Sequence, residues 1–185
     1  MDESFFFPVI LGTARQGRRS EPVARFVIDV LEGLEQKTDL VDVREFDLLA
    51  TRQSDGRIED YRRMIDKADG LIVVAPEYNH GYPGELKLLL DAGYDEYAHK
   101  PLGLVGVSAG GFGGARVVEQ LRQVALGLRM IPIAHAVNVS RVKSLIDDNG
   151  NLSDEKVAEA TEKMVHDMAF VAGAIGPARR NRENR

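Results

Sequence analysis

The 185-residue sequence contains no cysteine and no tryptophan. Without cysteine it can form no disulfide staple, no thiolate metal site and no cysteine nucleophile. It also lacks a basic excess: 24 lysines and arginines stand against 29 aspartates and glutamates, a formal charge of −5, so no field suits general nucleic-acid binding. Its apolar stretches fall far short of a membrane span. The start, Met1-Asp2-Glu3-Ser4, is acidic and runs straight into an apolar block, without the basic start and small-residue cleavage site of a signal peptide. A cytoplasmic protein that binds neither nucleic acid nor membrane is expected. At roughly 150 residues per domain the length predicts one domain, over 1–178. The arginine-rich end, 179–185, is expected to be a solvated, frayed tail.

What the sequence does have is alternation. Apolar blocks lie at 5–11, 40–43, 70–75, 102–107 and 130–139. Some are continuously hydrophobic, as in Leu71-Ile72-Val73-Val74-Ala75, the pattern of a strand covered on both faces. Between them run helical periods. Val23, Val27, Val30 and Leu34 form one stripe; Val117, Leu121, Val124 and Leu128 form a second. A third carries Val157, Ala160, Met164, Met168 and Val171, entered through a Ser153 N-cap with Leu152 and Val157 as a hydrophobic staple. The Asp148-Asn149-Gly150-Asn151 cluster lacks calcium-ligand spacing and reads as a turn. Five β-α units with right-handed crossovers predict a three-layer α/β/α sandwich around a five-stranded parallel sheet of order 2-1-3-4-5.

In such a sheet ligands bind beyond the carboxyl ends of the strands. The loops after strands one, three and four are the ones of unusual composition. The first, Gly12-Thr13-Ala14-Arg15-Gln16-Gly17-Arg18-Arg19-Ser20, brings hydroxyls, glycines and three arginines to a helix N-terminus, a setting for a phosphate. It fails the dinucleotide G-x-G-x-x-G pattern. As a P-loop it has Arg18 and Arg19 where Lys and Ser/Thr are required, so an ATPase is disfavoured.

The second loop, Pro76-Glu77-Tyr78-Asn79-His80-Gly81-Tyr82-Pro83-Gly84, can wall a flat ligand with Tyr78, while Asn79 offers a donor and an acceptor. Tyr82, Tyr94 and Tyr97 are expected to pack or to form a subunit contact. On the next helix Leu86, Leu89 and Leu90 share a face while Leu88 points away, which suggests a second, partner-facing side. The third loop runs from Ser108 to Arg116 and contains four glycines that let backbone N–H groups approach a ligand. Gly106-Val107-Ser108-Ala109-Gly110 also matches the G-x-S-x-G nucleophile elbow of hydrolases. Its triad would need Asp147 or Asp154 with His166, and His166 falls inside the last helical stripe, a poor place for a base. His80, His99 and His135 show no metal-ligand spacing, and His135 reads as a satisfied polar group.

Three segments together resemble the NAD(P)H-dependent FMN reductase family of flavodoxin-like flavoproteins. They are Leu11-Gly12-Thr13-Ala14-Arg15-x-x-x-x-Ser20, Pro76-Glu77-Tyr78-Asn79-x-x-x-Pro83-Gly84-x-Leu86-Lys87, and Ser108-x-Gly110-Gly111-x-Gly113-Gly114. The resemblance implies a flavodoxin-like fold and an enzyme that moves hydride from NADPH or NADH to FMN and on to a quinone, azo compound, chromate or second flavin. By position, Thr13, Arg15 and Ser20, with Arg18 as an addition, would hold the FMN phosphate. Pro76, Glu77, Tyr78 and Asn79 would meet the isoalloxazine ring and ribityl chain, and Ser108, Gly110 and Gly111 its pyrimidine edge. The family commonly carries Ser where Thr13 stands, which keeps the hydroxyl. It also implies a homodimer or homotetramer. No metal is implied and no side chain needs a catalytic role, since the cofactor supplies the chemistry. Three rivals share parts of this pattern: a flavodoxin-like single-electron carrier, a Ser108 hydrolase, and a non-catalytic flavin-binding or regulatory protein.

Overall fold

The structure, a computed structural model, describes residues 4–48 and 56–183, without the side chains of 180, 182 and 183. The strands are β1 (Val9–Leu11), β2 (Leu40–Asp42), β3 (Leu71–Pro76), β4 (Pro101–Val107), β5 (Ile131–Pro132) and β6 (Val137–Val139). The helices are α1 (Ser20–Gly33), α2 (Gly56–Lys67), α3 (Gly84–Leu90), α4 (Ala115–Gly127) and α5 (Glu155–Glu183). All strand pairs are parallel, in the order β2-β1-β3-β4-β5, with β6 also on β4. The expected order holds, but the fifth block is two strands. Pro101 and Leu102 pair with Ile131 and Pro132, and Val105 to Val107 pair with Val137 to Val139. Between these pairings Gly103 and Leu104 face four residues, Ile133 to Ala136, so two extra residues bulge out. Arg122 donates to the Ile133 and Ala134 carbonyls (2.8 Å each), satisfying acceptors that the bulge removes from the ladder.

Alternation along each strand divides the core between the two faces. Ile72 and Val74 of β3, with Val9 and Leu11 of β1, face α1 and α5; Leu71, Val73 and Ala75, with Ile10, face α2, α3 and α4. Gly103 brings α5 close to the sheet, because a Cβ there would sit 2.7 Å from the Met168 sulfur. On α1 the deepest stripe is Val23, Val27 and Leu31, while Val30 and Leu34 are half-buried, a rotation of the predicted stripe. On α4 Val117, Leu121 and Leu128 are buried and Val124 is half-buried.

Two expectations about α5 change. Its N-cap is Asp154, not Ser153: Asp154 Oδ1 accepts from Val157 N (2.9 Å) and its carbonyl accepts the first helical bond, from Ala158 N. Leu152 and Val157 are both buried in the α1/α5 face of the core. The helix also continues through Glu183, and Arg179 is buried with its guanidinium on the Ala68 carbonyl (3.3 Å), so fraying does not begin at 179. Residues 184 and 185 lie outside the described residues. Among the described residues no helix is long and apolar enough to cross a membrane.

Candidate functional site

The three loops converge at one rim. Gly12 N donates to the Val74 carbonyl (2.9 Å), extending β1 alongside β3 before the chain turns away toward α1. Arg18 then folds back into the protein. Its Nε donates to Glu21 Oε2 (3.2 Å), and Nη1 donates to the Thr13 carbonyl (2.7 Å) and Asp42 Oδ1 (2.6 Å). Nη2 donates to Glu21 Oε2 (3.2 Å) and Asp42 Oδ2. A guanidinium has five N–H groups, and all five are used. Arg18 therefore has no donor left for a phosphate; it ties the loop to β2 and α1, correcting its expected role.

Two carboxylates offset the Arg18 charge, and both are held in the ionised form by neighbouring cations. Burial pushes the Asp42 carboxyl up, but the Arg18 guanidinium and the Arg44 amide more than offset this, leaving it below the usual carboxylate range. Glu21 is held low by its bond to Arg25, against burial, with Arg18 adding to the effect. Arg44, in the turn after β2, donates to the Arg15 carbonyl (2.9 Å) and braces the loop.

Thr13 is also redirected. It is fully buried, and its hydroxyl lies 3.2 Å from both the Tyr78 hydroxyl and Glu85 Oε1. Its oxygen also accepts from Arg15 N (3.3 Å), so the hydroxyl is saturated and braces the loop from below. The cations on the cavity wall with exposed positions are Arg15 and Arg19, and the Arg15 guanidinium lies 5.5 Å from the Tyr78 ring centre. Ser20, the first residue of α1, is 1% exposed, and its hydroxyl has no hydrogen-bond partner among the described residues. An unpaired buried hydroxyl costs about 1–3 kcal/mol, and it sits beside the free N–H groups of a helix start.

The second loop is a tight hairpin. Tyr78 and Gly81 exchange both backbone bonds (2.9 Å each), and Asn79 and His80 between them take φ of 49° and 69°. Two successive left-handed residues are what a two-residue turn of this hand requires. Gln120 Nε2 braces it through the His80 carbonyl (2.8 Å). Glu77 is anchored by Arg116, through both its guanidinium (3.1 Å) and its amide (3.3 Å).

In the third loop the glycines divide by function. Gly113 and Gly114 have φ of 58° and 74°, and a Cβ would lie 2.8 Å from Asn138 C and 2.7 Å from Val107 N respectively. Gly110 and Gly111 face open space. Ser108 Oγ donates to the Gly110 carbonyl (3.0 Å), not to a histidine, and His166 is exposed on α5, so the hydrolase triad is not assembled. His135 is exposed and paired with Asp167 (2.6 Å). Tyr97 packs in the core against the Tyr61 hydroxyl (2.6 Å), while Tyr94 is exposed.

These loops enclose a cavity of about 400 Å³. Of the residues expected at the site, Arg15, Arg18, Ser20, Pro76, Glu77, Tyr78 and Ser108 line it, whereas Thr13, Asn79, Gly110 and Gly111 do not. Gln16, Gly17, Arg19 and Ala109 also line it, each inside a loop already conspicuous in the sequence. Val142 lines it too, brought there by its N–H on the Ser108 carbonyl (3.1 Å), and no local pattern marks it. The donor set fits FMN: a helix start with an unpartnered buried hydroxyl and two arginines for a phosphate, and Pro76 to Tyr78 for a flat ring.

The fold is that of a flavodoxin-like α/β sandwich, with the three loops gathered at one rim. The chain belongs to the NADPH-dependent FMN reductase family, whose sequence pattern matches residues 8–144, and is thus an oxidoreductase that uses FMN and a nicotinamide donor. It is 29% identical over 164 residues to an NADPH azoreductase of a Bacillus species, covering 86% of each chain. It is 32% identical over 143 residues to the NAD(P)H-dependent FMN reductase LOT6 of Saccharomyces cerevisiae, covering 66% of this chain and 74% of that one. The fold is similar to that of the NAD(P)H:(acceptor) oxidoreductase FerB of Paracoccus denitrificans, with TM-score 0.76, 18% identity, and coverage of 90% of this chain and 97% of that one.

Proposed function

We propose that the cavity holds FMN with its phosphate at the start of α1 and its ring against Pro76 to Tyr78, and that the enzyme reduces quinones, azo compounds, chromate or free flavin. The single observation that carries this is the Ser20 hydroxyl, buried and unpartnered on the cavity wall at the first turn of α1. FMN bound there would accept hydride from NADPH or NADH and pass electrons to an acceptor occupying the same exposed face. Arg15 and Arg19 supply charge to the phosphate. Gly110 and Gly111 face open space, with room for a ring edge to reach them, and Asn79 sits in the hairpin turn next to Tyr78. Backbone N–H groups of residues 109–111 would stabilise negative charge on the ring's pyrimidine edge. Relatives named as an NADPH azoreductase and as a quinone reductase of Pseudomonas putida support acceptors of that class. The same reading has the chain working in the cytoplasm as a homodimer or homotetramer, with the half-buried Leu88 on α3 facing a partner.

The test is spectral. The purified protein should retain or take up FMN, and its flavin absorbance should bleach on anaerobic addition of NADPH or NADH. Failure to bind FMN added in excess would end this reading. Binding without bleaching by either nicotinamide would leave a flavin-binding protein that is not a reductase.

A further inference from the structure

Glu85 stands in the first turn of α3, directly beneath the loop after β1. Its Oε1 accepts from Ala14 N (2.8 Å) and lies 3.2 Å from the Thr13 hydroxyl. An ionised carboxylate can only accept, so the Thr13 hydrogen must point to Glu85. That fixes the rest of the chain of contacts. Thr13 Oγ1 keeps two acceptor positions, and these meet Arg15 N (3.3 Å) and the Tyr78 hydroxyl (3.2 Å), which is thereby the donor. Tyr78 lines the cavity and carries the Arg15 guanidinium over its ring, 5.5 Å from the centre. One carboxylate outside the cavity thus sets the direction of the Thr13–Tyr78 hydrogen bond that links the first loop to the second.

We propose that Glu85 is a positioning residue of the flavin site, coupling the phosphate loop to the Tyr78 wall through the Thr13 hydroxyl. The inference rests on the reading of the cavity as the FMN site. Close to a bound phosphate a carboxylate repels, so its electrostatic effect on FMN is unfavourable; its contribution is the acceptor oxygen that fixes Ala14 and Thr13. Charge and acceptor can be separated, because Gln keeps an oxygen at that place and Ala does not.

The experiment compares E85Q with E85A, which lose the same charge. Flavin fluorescence titrations of the apoproteins give FMN and riboflavin affinities, and amide exchange by NMR reports on Ala14 N–H without any flavin. E85A should bind both flavins about fivefold to tenfold more weakly than E85Q, the equivalent of one or two hydrogen bonds. Its Ala14 amide should exchange at least about tenfold faster than in E85Q, whose rate should stay near that of the wild type. Equal flavin affinities in the two variants, with wild-type FMN binding intact, would overturn the inference and leave the FMN site standing. If E85A does not fold, E85Q alone decides: a loss of Ala14 protection in E85Q overturns the proposal. A wild type that binds no FMN, yet shows the expected Ala14 exchange in both variants, would refute the cavity's assignment and with it the positioning role.

Discussion

The Arg18 guanidinium and the Asp42 carboxylate meet at two points at the end of β2, with the Arg18 side chain only 2% exposed. The contact joins the first loop to the edge of the sheet, and it decides that Arg18 builds the site without touching a phosphate. R18M should lower stability by about 3 kcal/mol, because it strands a largely buried carboxylate. The double variant R18M/D42L should recover most of that loss. Urea unfolding checks both; a double variant as unstable as R18M would contradict the pairing.

Acid should weaken the same contact. Asp42 and Glu21 both have depressed pKa values in the folded protein, so in acid the unfolded chain binds more protons than the native one. Their contribution is complete above the ordinary carboxylate value of about 4 and is lost as pH falls below it. Urea midpoints measured from pH 6 downward should therefore decline below about pH 4, and less steeply in D42N.

Removing phosphate ligands should separate two flavins. R15A should weaken FMN by about 1.5–3 kcal/mol, the range for a bond to a charged group, and riboflavin much less. R18M should weaken both alike. S20A should weaken FMN while leaving the apoprotein as stable as the wild type or slightly more so, since it removes an unsatisfied buried hydroxyl. Titration of each variant with both flavins, beside thermal unfolding, would show this; a less stable S20A apoprotein would argue for a structural hydroxyl.

The four glycines of the third loop should respond in two ways. G114A places a Cβ 2.7 Å from Val107 N at a left-handed φ, and should cost at least about 3 kcal/mol or prevent folding. G111A meets nothing within 4 Å and should stay within about 1 kcal/mol of the wild type, while lowering flavin affinity if the ring edge lies there. Thermal unfolding with flavin titration separates the two cases.

The strand order was legible because continuous apolar blocks and helical stripes are local signals that a doubly wound sheet must carry. Local signals fail where a distant group takes over. The break between β5 and β6 depends on a two-residue mismatch with β4, and the burial of Arg179 depends on the Ala68 carbonyl. Neither leaves a trace in its own segment.

At the candidate site, the sequence alone determined which three loops share the rim and what chemistry they offer, because hydroxyls, arginines and glycines at strand ends are fixed by position in the chain. Only tertiary structure decided which of those groups remain available. Arg15, Arg18 and Arg19 are chemically alike on paper, but Asp42 and Glu21 reach just one of them; Thr13 and Ser20 carry the same functional group, but Glu85 and Tyr78 saturate just the first. A donor's hydrogens can be used once, and what uses them is set by neighbours that the chain brings from elsewhere.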